Sequence, residues 1–170
     1  HFGGIARGAE WHRLGSTWID GASVETTDWR KREVRVRLAY DGVEPASEVD
    51  LVIECDGEPI VVKPLTLNQT RGELVETFTM PDADAWSPDS PALHELYIRL
   101  GDDDLRDRFG IRQIRIDGRR ILINDQSVRL LGFNRHEGHP QFGHSHPDAL
   151  MLADIQLLKD IGCNLIRGRH

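Results

Sequence analysis

The chain has 170 residues, with 28 Asp and Glu against 21 Lys and Arg, a net charge of −7 with His neutral. No basic stripe interleaved with aromatics occurs, so nucleic acid is not an expected partner, and no apolar stretch nears the ~20 residues that span a bilayer. The length and a hydrophobic content of 39% allow one domain, or a domain and part of another, with a buried core.

The sequence opens on His1 rather than Met, which points to a part upstream, so a missing signal peptide carries no weight. A cytoplasmic location is the default expectation. Residues His1 to Ser16 are too few for a domain and read as the tail of one lying upstream. From Thr17 to about Gly110 the pattern is all β. Glu33 to Tyr40 alternates charged and apolar residues, and Val49, Leu51, Ile53 and Cys55 form a second apolar face at period two, as half-buried antiparallel strands do. Asp41-Gly42 and Asp56-Gly57 supply turns, and strand-like runs follow at Pro59 to Leu65, Leu74 to Met80 and Glu95 to Leu100. Short strands at this spacing predict a two-sheet sandwich of immunoglobulin-like size. Cys55 and Cys163 stand far apart in apolar runs, which reads as two buried free thiols rather than a disulfide.

After Gly110 the pattern changes. Ile114 to Ile116, Asp117-Gly118, Ile121 to Ile123 and Asn124-Asp125 predict a small hairpin. Val128 to Phe133 reads as a strand covered on both faces. A helix is predicted from about Pro147 to Ile161, with Ser145 and Asp148 spaced as a capping box, Pro147 in the first turn and Gly162 just past the end. Its apolar face is Leu150, Ala153, Leu157 and Ile161, widened by Met151, Ile155 and Leu158. Cys163 to Ile166 supplies the next strand. A β-α-β crossover places its strands parallel, so the cluster Asn134-Arg135-His136-Glu137 and the cluster Arg167-Gly168-Arg169-His170 leave the sheet at one edge. That edge is where parallel α/β folds hold their chemistry. One such unit cannot close a barrel, and exposed apolar surface is expected on it.

Four histidines, His136, His139, His144 and His146, crowd the loop before the helix. Their spacing is not His-Glu-x-x-His, and solvated or sugar-contacting imidazoles are preferred to a metal site. No Ser or Cys sits in an elbow that would make it a nucleophile. Asn68-Gln69-Thr70 fits the glycosylation pattern, which matters only in a eukaryotic secreted protein.

The ordered motifs Gly3-Gly4-Ile5-x-Arg7, Trp86-Ser87-Pro88-Asp89-x-Pro91-x-Leu93, Phe109-Gly110-Ile111-Arg112, Leu122-x-Asn124, Gly132-Phe133-Asn134-Arg135-His136-Glu137, Asp154 to Lys159 and Asn164 to His170 resemble the family 2 glycoside hydrolases, the β-galactosidases most of all. The resemblance implies a mainly β fold: residues 1–16 as the C-terminal tail of a jelly-roll sugar-binding domain, 17–110 as an immunoglobulin-like β-sandwich, and 111–170 as the first β-α-β portion of a (β/α)8 TIM barrel. It implies a retaining exo-β-glycosidase acting on terminal β-D-galactosyl residues. It places His136, His170 and Asn134 at the sugar, with Arg135, Glu137 and Arg167 supporting the site. The two catalytic glutamates of a retaining enzyme come from later strands in this family, so no residue of this chain is expected to be catalytic and the piece alone is expected to be inactive. Mg2+ and Na+ are implied only for the full-length enzyme, as is a homo-oligomer, and the partner is a β-galactoside. The β-glucuronidases of the family carry Lys where Arg135 stands, which leans the reading towards galactosidase; β-glucuronidase and β-galacturonidase are the alternatives. A non-catalytic carbohydrate-binding or interaction module is a further alternative, and it predicts an exposed aromatic platform such as Trp29 or Trp86.

Overall fold

The computed structural model describes residues 8–136 and 138–168. They fall into two compact units, residues 13–127 and residues 128–168 with 8–12. The Gly3-Gly4-Ile5-x-Arg7 motif, Glu137, Arg169 and His170 lie outside the described residues.

The larger unit is built on two antiparallel sheets. Strands β1 (Trp18–Asp28), β2 (Glu33–Asp41), β3 (Ser47–Cys55), β4 (Glu58–Leu67), β5 (Gly72–Thr79), β6 (His94–Leu100) and β7 (Asp103–Phe109) arrange as β1-β2-β5 and β4-β3-β6-β7. Three strands against four is the arrangement of an immunoglobulin-like sandwich. The alternation read in β2 decides which face turns inward. Val34, Val36, Leu38 and Tyr40 are buried and meet Leu51, Ile53 and Cys55 of β3 and Leu96, Ile98 and Leu100 of β6, none more than 5% exposed. Full burial of one such apolar side chain is worth about 1.5–3 kcal/mol before conformational entropy is subtracted. Asp56 and Gly57 both take positive φ, 52° and 82°, the geometry a two-residue hairpin needs between β3 and β4.

Two strands go beyond the sequence expectation. β7, Asp-Asp-Leu-Arg-Asp-Arg-Phe, buries only Phe109; as an edge strand it needs no apolar face, so its pattern is hidden under charge. β1 carries register shifts at Ile19/Gly21 and Thr26/Asp28, which break a clean period of two. The thiols also divide. Cys55 is buried, which pushes its pKa up to about 12, with the Asp56 charge adding to the effect, whereas Cys163 is only partly buried.

His94 closes one end of the sandwich. Its Nδ1 lies 2.8 Å from Asp56 Oδ2 and its Nε2 2.9 Å from the Asp84 carbonyl. Two acceptors call for both ring nitrogens to carry protons. Burial opposes that charge, yet the bonds to Asp84 and Asp56 outweigh it and raise the His94 pKa above its ordinary 6.5. Asp56 is lowered from 3.8 against the opposing effect of burial, by His94 and the Glu95 N–H. A raised His pKa contributes stability that is full below pH 6.5 and lost as pH rises through the raised value. A lowered Asp pKa contributes above 3.8 and is lost as pH falls through the lowered value. The melting temperature of the chain, minus that of His94→Gln, is therefore expected to be largest between about pH 4 and 6.5 and to shrink towards pH 8. A difference that grows with pH in thermal melts would contradict the charged clamp.

The sandwich is followed by β8 (Ile114–Asp117), β9 (Arg120–Ile123) and β10 (Gln126–Val128), in the order β10-β9-β8. Asn124 and Asp125, at φ 49° and 63°, make the turn between β9 and β10. Both turn side chains are occupied. Asn124 is 8% exposed; its Oδ1 accepts the Gln113 N–H at 2.8 Å, and its Nδ2 donates to the carbonyls of Trp86 and Ile111 at 2.9 and 3.1 Å. Asp125 accepts the Trp29 indole N–H at 2.8 Å and pairs with Arg30 and Arg115 at 2.7 and 3.1 Å. The Trp29 bond first, then the arginines, hold its carboxyl below the ordinary value of 3.8.

In the smaller unit, β11 (Gly132–Asn134) and β12 (Leu165–Arg167) are parallel and joined through α1 (Asp148–Asp160). The single strand expected from Val128 to Phe133 is instead the end of β10 and the start of β11. Between them the Asn164 side chain takes the backbone's place: its Nδ2 donates to the Arg129 carbonyl and its Oδ1 accepts the Leu131 N–H, at 2.9 and 2.8 Å. The expected capping box is also not the cap. Pro147 occupies the N-cap in extended geometry, without a side-chain hydrogen bond. The C-terminus follows expectation: Gly162 sits at φ 89°, its N–H bonded to the Lys159 carbonyl and the Cys163 N–H to that of Leu158, a Schellman motif. Leu150, Met151 and Leu158 are the half-buried face of α1, while Leu157 and Ile161 remain 63% and 62% exposed. With Phe133 and Leu165 also exposed, at 57% and 43%, this unit carries the uncovered apolar surface that one β-α-β unit leaves.

Candidate active site

The register of the parallel pair matches Gly132 with Leu165, Phe133 with Ile166 and Asn134 with Arg167. Paired residues share a face of the sheet, so Asn134 and Arg167 stand side by side at the C-terminal ends of neighbouring parallel strands. The ladder runs one step further, for the Arg135 N–H donates to the Arg167 carbonyl at 2.9 Å. At Gly132 the strands come so close that a Cβ would lie 1.8 Å from the Leu165 carbonyl oxygen, which only glycine avoids.

Of the residues picked from sequence, Asn134, Arg135, His136 and Arg167 are thus brought to one strand edge; Glu137 and His170 lie outside the described residues. Arg135 takes an unexpected direction. Its Nε and Nη2 donate to Asp154 Oδ2 on α1 at 3.1 and 2.7 Å, and Nη2 lies 3.4 Å from His146 Nδ1. Asp154 and Asn164 carry no expected role, although both stand in the motifs that resemble family 2. The available signal was helical spacing, which puts Asp154 between Leu150 and Leu158 on one face.

The histidine loop folds on itself. His139 and Gly143 exchange backbone hydrogen bonds at 2.9 and 2.8 Å, the His139 ring packs on Phe142 with centroids 5.1 Å apart, and His146 stands edge-on to His139 at 5.6 Å. Among the described residues no three His, Cys, Asp or Glu side chains are placed to hold a metal ion.

Neither tryptophan is offered as a platform. Trp29 is half-buried against the core, bonded to Asp125 and flanked by Arg30 and Arg32 at 5.3 and 5.8 Å from its ring. Trp86 is half-buried, with Arg112 at 4.7 Å from its ring centroid. An added Cβ at Gly110 would come within 2.9 Å of the Trp86 side chain. An open groove of 680 Å³ along β1 and the end of β7 is lined in part by Trp86 and Arg112, but the guanidinium covers the ring there. The Trp-Ser-Pro, Phe-Gly-Ile-Arg and Leu-x-Asn motifs thus meet at a structural corner rather than a ligand site.

Residues 114–170 match the family model for the TIM barrel domain of glycosyl hydrolases family 2. A β-galactosidase of Thermoanaerobacter pseudethanolicus is 26% identical over 180 aligned positions, covering 99% of this chain and 24% of that protein. A β-galactosidase of Staphylococcus xylosus is 31% identical over 93 positions, covering 55% of this chain and 9% of that protein. The crystal structure of a family 2 β-galacturonidase from Eisenbergiella tayi bound to galacturonate superposes with a TM-score of 0.83 at 32% identity, over 92% of this chain and 29% of that one. Residues 114–170 belong to the TIM barrel domain of glycoside hydrolase family 2. The chain as a whole is similar to enzymes of that family, combines an immunoglobulin-like sandwich with the opening of a TIM barrel, and spans under a third of the length of these relatives. The family match begins at Ile114, so it takes in β8 and β9, which by compactness group with the sandwich. No helix of the described residues is long and apolar enough to cross a membrane.

Proposed function

We propose that the protein containing this chain is a retaining exo-β-glycosidase that releases terminal β-D-galactosyl residues, and that the edge formed by β11 and β12 is one wall of its sugar subsite. The observation that carries this reading is the pairing of Asn134 with Arg167 at the ends of two parallel strands, in a chain whose relatives include β-galactosidases. Asn134 offers an amide that both donates and accepts, His136 an imidazole that does the same, and sugar hydroxyls need both. Arg167 brings a fixed positive fork suited to a carboxylate. In the proposed mechanism that carboxylate is one of two glutamates contributed by residues outside this chain. One protonates the leaving oxygen while the other, about 5 Å from the first, attacks the anomeric carbon to form a glycosyl-enzyme, which water then hydrolyses with the first acting as base. This chain's residues then bind and orient the sugar while the charge develops, which is where preorganised donors lower the barrier most.

A second reading has its own support. The Eisenbergiella tayi enzyme that superposes at 0.83 is a β-galacturonidase, and galacturonate shares the axial 4-hydroxyl of galactose while differing at C6. A galacto-configured sugar is common to both readings. Full-length protein is expected to hydrolyse 4-nitrophenyl β-D-galactoside faster than the matching galacturonide or glucuronide. Preference for galacturonide selects the second reading, and no hydrolysis of any of the three overturns both.

A further inference from the structure

Arg135 lies between two residues of the proposed sugar wall, yet its side chain leaves that wall. Successive residues of an extended strand point to opposite faces. With Arg135 drawn to Asp154 on α1, Asn134, the residue before it, stands on the opposite face, the one it shares with Arg167. The main chain at Arg135 is fixed as well, by its bond to the Arg167 carbonyl at 2.9 Å. Arg135 is thereby tied by both backbone and side chain, 17% exposed against 50% for Asp154. The helical placement agrees, since Asp154 shares a face with the half-buried Leu150 and Leu158.

We infer that Arg135 and Asp154 are a positioning pair: they fix the exit of β11 so that Asn134 and His136 face the sugar, and they do not read the sugar themselves. This rests on the glycosidase reading above. It also removes the lean towards galactosidase drawn from Arg135, because Arg or Lys at this position then reports on the fit to α1 rather than on the substrate. A half-exposed ion pair adds little to global stability, whereas a small misplacement of a binding group costs turnover steeply.

The test uses full-length protein carrying Asp154→Asn, Arg135→Ala, Arg135→Lys, or Asp154→Asn with Arg135→Ala. Asp154→Asn and Arg135→Ala are expected to lower kcat on the aryl galactoside about 10- to 100-fold, with the melting temperature almost unmoved. Arg135→Lys should recover part of the loss, the ratio of galactoside to galacturonide turnover should stay constant, and the double variant should be no worse than the worse single. Hydrogen exchange of residues 132–136 should quicken about tenfold in Asp154→Asn. Losses that merely follow the melting temperature, a sugar ratio that shifts in Arg135→Lys, or unchanged exchange would each overturn the pair. If wild type hydrolyses none of the glycosides, the glycosidase reading fails by itself, and the exchange result alone decides the pair.

Discussion

Gly132→Ala is expected to separate β11 from β12 and to abolish turnover in the full-length protein. The methyl group would sit 1.8 Å from the Leu165 carbonyl oxygen and 2.6 Å from its carbon. The obstacle is the backbone of the neighbouring strand, so no rotamer change relieves it. The strands must part by more than an ångström, and the pairings of Phe133 with Ile166 and Asn134 with Arg167 go with the movement. Overpacking of this kind costs about 3 kcal/mol or more locally. A displacement of 1 Å at a binding group costs about 100-fold in rate, so kcat/KM on the aryl galactoside should fall at least that far. Since the sandwich does not depend on Gly132, a differential scanning trace should keep its main transition. Full activity in Gly132→Ala would mean that the strand pair does not set the site.

Asn124→Asp is expected to destabilise the sandwich by about 3–5 kcal/mol. The change is almost isosteric and keeps the acceptor for the Gln113 N–H, so it isolates the two donors. In place of N–H groups pointing at the Trp86 and Ile111 carbonyls, at 2.9 and 3.1 Å, it sets an oxygen against two oxygens in a position 8% exposed. The Trp86 carbonyl loses this donor and the Ile111 carbonyl keeps only the Trp86 N–H at 3.1 Å; an unpaired buried acceptor costs about 1–3 kcal/mol, and the carboxylate adds the cost of its own burial. Urea unfolding of the chain reads the loss as a lower midpoint at unchanged slope. A shift below about 1 kcal/mol would show that water replaces the amide at no cost.

Much of this was legible in the sequence where local chemistry and tertiary need coincide. The alternation of Glu33 to Tyr40 marks β2 because one face must be buried, and Asp56-Gly57 marks the turn from β3 to β4 because both residues must take positive φ. Gly162 marks the end of α1 for the same kind of reason. β7 was hidden because an edge strand can carry charge on both faces, and the Ser145 box was overruled when Pro147 took the N-cap. At the site, the two clusters at one strand edge follow from the β-α-β pattern alone. The partner of Arg135 does not, because it depends on which face α1 covers and on a charged residue standing in an otherwise apolar stripe. The corner formed by Trp86, Gly110 and Asn124 was likewise present only as separate motifs, 38 residues apart between Trp86 and Asn124. Their meeting needs the whole sandwich.

If the ends of β11 and β12 are one wall of the sugar subsite, a crystal structure of the full-length protein with bound galactose will have a sugar hydroxyl within hydrogen-bonding distance of the Asn134 amide and of the His136 ring, with Arg135 still on Asp154. A sugar seated on the sandwich loops, or one reached by Arg135 while Asn134 faces away, would show that this edge is not the sugar wall.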